Sequence, residues 1–126
     1  MAEVLVGGTR VFARPDGIIQ VVGVERRKQS LDDAKSVVSA IRSLAGERRV
    51  LMLLDITVTS GLETEAQRYY NQEGKQFADA IAVVTSSTIG RIIANFAIAA
   101  NEGVLPMRLF NEVAPAVAWL HAHAKP

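Results

Sequence analysis

The sequence contains no cysteine, which excludes disulfides, thiolate metal sites and cysteine nucleophiles together. It also lacks an excess of charge. A formal net charge of +1 is far from the basic face needed to neutralise several phosphates, so nucleic acid is not an expected partner. No apolar run approaches the roughly 20 residues that span a bilayer, and no charged leader with an apolar stretch stands at Met1. The expectation is a cytoplasmic protein that does not span a membrane. No glycine-rich phosphate loop, paired catalytic carboxylates or histidine-activated nucleophile stands out, so neither an enzyme nor a cofactor is expected. His121 and His123 sit two apart on a helix and face different ways, which argues against a paired metal site.

The chain has 126 residues, of which 49% are apolar and 21% charged. That is enough for one packed core and leaves no room for a second, so one domain over residues 1–126 is expected. Two short basic clusters, Arg26-Arg27-Lys28 and Arg48-Arg49, flank one helix at opposite ends and read as solvated loops.

Met1 to Gly8 shows no clear period and reads as a loose arm or a short edge strand. In "RVFARPDGIIQVVGVE", Arg10 to Glu25, the Pro15-Asp16-Gly17 trio between two β-rich runs predicts an antiparallel hairpin. Ser30 with Asp33 forms a capping-box pattern, and a helical apolar stripe from Leu31 to Ala45 stops at Gly46. "VLMLLD", Val50 to Asp55, and "AIAVVT", Ala80 to Thr85, are too short for good helices and read as strands buried on both faces. A helix from about Leu62 towards Phe77 is expected between them, with Thr64 and Gln67 as its capping box. A third helix should run from Thr88 to Asn101 behind a Ser86 or Ser87 cap. Pro106 opens a last strand, "MRLF", and Asn111 is expected to cap a final helix whose apolar line is Val113, Val117 and Leu120. Connections of this length make the strands after the hairpin parallel. The predicted fold is α/β: an N-terminal β-hairpin, then a βαβαβα superhelix, with a five-stranded mixed sheet and four helices.

In open parallel sheets, ligands gather outside the carboxyl ends of the strands. That rim offers Asp55, Thr57, Thr59 and Ser60 after one strand, and Ser87 with Arg91 and Asn95 after the next. Helix N-termini there favour an anion, although serine and threonine are also ordinary caps. Ile89, Ile92, Ile93, Phe96, Ala97 and Ala100 predict the core stripe of the third helix. Ala94, Ile98 and Ala99 extend its apolar character, leaving room for a neighbouring helix, an apolar ligand or a homodimer partner. Of the adjacent Tyr69 and Tyr70, one is expected in the core. The other, with Tyr69 as the candidate, either lies at the core's margin with its hydroxyl in water or presents its phenol to a pocket beside Glu65 or Arg68.

The fragments "TEAQRYY" (Thr64 to Tyr70), "IGRIIANF" (Ile89 to Phe96) and "LFNEVAPAVAWL" (Leu109 to Leu120), in this order of elements, resemble the SpoIIAA-like superfamily. That superfamily contains the STAS anti-sigma-factor antagonists, and the chain is most similar to uncharacterised bacterial STAS-like proteins. In the antagonists a regulatory serine lies in the loop after the third strand. Here Asp55-Ile56-Thr57 and Ser60-Gly61-Leu62 match the two ends of that pattern, with Thr59 in place of an aspartate. The resemblance implies a non-enzymatic interaction module that binds a regulatory protein through this loop and the following helix. The alternative is a carrier or sensor of a small apolar or amphipathic ligand held between helices.

Overall fold

The computed structural model describes residues 3–124. Its elements are β1 (Glu3–Val6), β2 (Thr9–Ala13), β3 (Ile19–Gly23), β4 (Lys28–Gln29), α1 (Leu31–Ala45), β5 (Val50–Asp55), β6 (Gly61–Leu62), α2 (Thr64–Phe77), β7 (Ala78–Val84), α3 (Thr88–Ala100), β8 (Met107–Phe110) and α4 (Val113–His121). The main sheet has six strands in the order β1-β2-β3-β5-β7-β8. The pairs β1/β2 and β2/β3 are antiparallel, and every pair beyond them is parallel. The α/β class, the four helices and the parallel register of the later strands follow the sequence reading.

The sheet has one strand more than expected, because Glu3–Val6 forms the edge beside β2. Residues 1 and 2 of the expected arm lie outside the described residues. Gly7 and Gly8, at φ 58° and 77°, make the two-residue turn into β2, a backbone that glycine adopts without steric cost. The Pro15-Asp16-Gly17 hairpin is present, and Asp16 Oδ1 accepts the Ile18 N–H at 3.2 Å. A second small sheet pairs β4 with β6 in parallel. It ties the segment before α1 to the segment before α2.

Side-chain alternation divides the core between the two sheet faces. Met52, Ile81 and Val83 point towards α1, α2 and α3, where Val37, Val38, Ile41 and Phe77 cover them. Leu53, Ala80, Ala82 and Val84 point the other way, under Ala116 and Leu120 of α4. Burying a valine or leucine side chain contributes about 1.5–3 kcal/mol, so these faces supply most of the fold's stability. Ser30 caps α1 as expected. Its Oγ accepts the Asp33 N–H at 3.2 Å while the Asp33 carboxylate accepts the Ser30 N–H at 3.0 Å.

Two expected caps differ. The N-cap of α2 is Glu63 and that of α4 is Glu112, neither with a side-chain cap bond. Pairing of Gly61 and Leu62 into β6 delays α2, and Glu63 N–H donates to Gln29 O at 2.9 Å. The backbone bond made with β4 thus outweighs the cap offered by Thr64. Asn111 instead turns to Arg91, whose Nη2 lies 3.2 Å from its Oδ1.

The core stripe of α3 is also different. Gly90 and Ala94 are its buried residues, whereas Ile89, Ile92 and Phe96 are 45%, 65% and 62% exposed. Close contact sets this rotation. A Cβ on Gly90 would stand 2.1 Å from Thr85 Oγ1, so only glycine lets the helix seat against Thr85. At the other end, buried Asn101 donates to Ala97 O at 2.8 Å and to Asn71 Oδ1 at 3.4 Å.

Of the basic clusters, Arg27 pairs with Glu25 and Asp33. Arg49 pairs with Asp79 and donates to the carbonyls of Lys75, Gln76 and Ala78. It thereby satisfies the end of α2, which passes into β7 without a linker.

Candidate functional site

Between the sheet and the three helices α1, α2 and α3 lies a cavity of about 150 Å3. Its walls are mostly apolar and include Val37, Ile41, Met52, Leu54, Phe77, Ile81, Val83, Ile93 and Leu105. The helices leave the space because of what they turn inward. From α2 come Gln67, Tyr70, Asn71 and Gly74, spaced i, i+3, i+4, i+7 along one face. From α3 come Ile93 and the small residues Ala94 and Ala97, while Ile92 and Phe96 face out.

An enclosed, wholly apolar cavity of this size would cost roughly 3–4 kcal/mol, at about 24 cal/mol per Å3, which is an upper bound for a space bordered by exposed Glu25 and Arg27. That is a large fraction of a domain's net stability.

One polar relay crosses the wall. The Tyr70 hydroxyl donates to Gln29 Oε1 at 2.6 Å, and Gln29 Nε2 donates to Gly7 O at 2.8 Å. β4 holds Gln29, the glycine turn presents the carbonyl, and α2 carries the phenol. Burial pushes the Tyr70 pKa well above the ordinary tyrosine value, the Asp33 charge adds to the rise, and the Gln29 bond works against it. The phenol is therefore a stable donor to Gln29. Exposed Glu25 and Arg27 also border the cavity, joined at 3.2 Å. Asp55 adds a half-buried carboxylate whose Oδ1 accepts the Thr57 N–H at 3.1 Å.

The residues singled out from the sequence are only partly gathered here. Asp55 and Thr59 line the cavity, with Thr59 Oγ1 accepting the Gly61 N–H at 3.2 Å. Thr57 and Ser60 are half-buried in the same loop and are not lining residues. Tyr70, not Tyr69, faces the space; Tyr69 packs at the core margin, and Arg68 is exposed. Ser87 caps α3, its Oγ accepting the Gly90 N–H at 2.9 Å, while exposed Arg91 reaches Asn111 and Asn95 is exposed. The latter three form no common site with the cavity. Gln29, Asn71 and Asn101 line it without having been selected from the sequence. The polar stripe of α2, closed by a glycine in mid-helix, was the available signal.

His121 Nε2 lies 3.0 Å from Asp16 Oδ2, and His123 Nδ1 lies 3.0 Å from Trp119 O. No group of three or more metal-ligating side chains occurs among the described residues. Nor is any helix there long and apolar enough to cross a membrane.

The fold has solved counterparts. An uncharacterised protein of the DUF3478 family, with a SpoIIAA-like fold, from Shewanella loihica PV-4 superposes with a TM-score of 0.61 at 21% identity. The match covers 95% of this chain and 98% of that one. A protein of unknown function from Arthrobacter sp. FB24 is 23% identical over 92% of this chain and 93% of its own, but its TM-score of 0.35 is too low to support an argument. The fold is therefore a SpoIIAA-like α/β fold. Residues 12–124 match the family described as Domain of unknown function (DUF7793), and the chain belongs to it. No curated protein matches the chain.

Proposed function

We propose that this protein binds a small apolar or amphipathic molecule between its helices and serves as a carrier or sensor of it rather than as an enzyme. The observation that supports this reading is the 150 Å3 cavity, walled by apolar side chains where larger residues on α2 and α3 would close it. A ligand offsets the cost of the space, since binding to the folded state alone stabilises by about 2.7 kcal/mol at a hundred times Kd.

Native mass spectrometry of gently purified protein, with thermal melts against a panel of small apolar compounds, tests the reading. Retained mass or a rise in Tm is expected, and both should vanish in Ala97→Leu, which fills the cavity. A panel that leaves Tm unchanged, on protein that carries no ligand, refutes it.

A second reading is an interaction module for a regulatory protein or a second copy of the chain. Its support is the exposure of Ile92 and Phe96 on the outer face of α3, beyond what isolated surface residues account for. Light scattering across a concentration series tests the homodimer. A concentration-independent monomer refutes it, and a pull-down with Phe96→Glu as control tests the other partner.

A further inference from the structure

We propose that the cavity selects an uncharged molecule about the size of one aromatic ring that carries a single hydroxyl or N–H donor, and that this donor bonds to the Tyr70 oxygen. The inference rests on the ligand-binding reading above and names the class of ligand.

Size comes from the volume. A protein cavity of about 150 Å3 lined by Leu, Ile and Phe takes up benzene, and this cavity has the same volume, with apolar side chains over most of its wall and Gln29, Tyr70 and Asn71 among the polar exceptions. Polarity comes from the relay. The Tyr70 proton is committed to Gln29 at 2.6 Å and one Gln29 amide N–H to Gly7 O at 2.8 Å. What the phenol retains for a ligand is an oxygen lone pair, which accepts and does not donate. Because burial raises the Tyr70 pKa, this direction is constant across the physiological range.

Charge comes from the wall. Arg27, the lining cation, is already bound to Glu25 and Asp33, and the Asp55 carboxylate stands on the same wall. A carboxylate ligand would therefore lose its water and meet a like charge. An ammonium would also lose its water, and the carboxylates that border the cavity are already engaged, Asp55 with the Thr57 N–H and Glu25 with Arg27.

Calorimetric titration of the full chain with phenol, benzene, anisole, benzoate and benzylamine at neutral pH tests the proposal. Phenol should bind roughly two- to ten-fold more tightly than benzene, the span of one net hydrogen bond. Anisole, the methyl ether without a donor, should match benzene, and both charged probes should fail to bind where phenol saturates. In Tyr70→Phe the preference for phenol over benzene should disappear while benzene affinity is kept. Should that variant not fold, the comparison of phenol with anisole on the unaltered chain decides alone. Equal binding of phenol, anisole and benzene overturns the ligand class but leaves the cavity reading standing, as does a charged probe that binds as tightly as phenol. Failure of all five overturns the cavity reading with it.

Discussion

Replacing either of two helical glycines by alanine is the same chemical change, yet the two should move stability in opposite directions. At Gly74 in α2, an added Cβ would lie 3.8 Å from Ile81 Cδ1 and 3.9 Å from Leu105 Cδ2, ordinary van der Waals contact. Gly74→Ala therefore gains about 0.5–1 kcal/mol of helix propensity and up to about 0.8 kcal/mol from a buried methyl. At Gly90 in α3 the same gain in propensity is available, but the Cβ would stand 2.1 Å from Thr85 Oγ1, 2.8 Å from Ser87 Oγ and 2.9 Å from Thr85 Cβ. Thr85 is fully buried and β-branched, so it cannot swing aside. Overpacking costs about 1–3 kcal/mol, and displacing Ser87 forfeits a cap worth about 1 kcal/mol. The clash wins by about 1–3 kcal/mol. At about 4 °C per kcal/mol for a chain of this length, calorimetric melts should show Gly74→Ala rising by about 2–7 °C. Gly90→Ala should fall by about 4–12 °C. A Gly90→Ala protein as stable as the parent would refute the close seating of α3 and the account of why its large side chains face outward. A Gly74→Ala protein that melts lower would refute the space beside α2.

Other outcomes follow from single contacts. The Ser30 N–H bond, opposed by burial and reinforced by Arg27, holds the Asp33 carboxyl below the usual aspartate range. Its contribution is therefore fully present above about pH 4, the unfolded value, and is lost as pH falls through the lower folded value. The gap between the urea midpoints of wild type and Asp33→Asn should narrow as pH falls from 7 to 3, and a constant gap would contradict this. Arg49→Lys keeps the charge but loses the fork that reaches three backbone carbonyls, so it should cost about 1 kcal/mol in urea unfolding. A neutral result would mean that water caps α2 equally well. Phe96→Ser should change stability by less than about 0.5 kcal/mol because the ring is exposed, and a larger loss measured on the monomer would place that ring in the core.

Much of the fold was legible because it is written in local chemistry. Ser30 with Asp33, Gly46 after the last turn of α1, and Pro15-Asp16-Gly17 are each a bond or a permitted φ between near neighbours. The apolar runs of β5 and β7 marked the buried centre just as directly. What escaped was set by contacts between distant segments. The two-residue pairing of β4 with β6 exists only once both loops are in place, and it moved the start of α2 from Leu62 to Thr64 and its cap to Glu63. The edge strand β1 was within reach, since Gly7-Gly8 is a hairpin signal, but too few residues precede it to show a period. On α3, periodicity identified apolar positions without saying which side would be held close, and small Gly90 and Ala94 won over large Ile92 and Phe96. The candidate site suffered from the same ambiguity. Asp55 and Thr59 were found because strand ends are predictable, whereas choosing Tyr70 over Tyr69 required the absolute rotation of α2.

The six-strand sheet also has to avoid growing. Its outer strands β1 and β8 are each four residues long and leave one row of backbone donors and acceptors without a neighbouring strand of that sheet. Such rows are templates for another chain. Both are interrupted by charge: Glu3 joins Arg10 across the first edge, and exposed Arg108 lies over the Phe110 ring on the second, 5.3 Å from its centroid. An incoming strand would have to bury those charges for a gain of only four residues, which leaves edge-to-edge stacking unfavourable even with Leu5 exposed on the outermost strand.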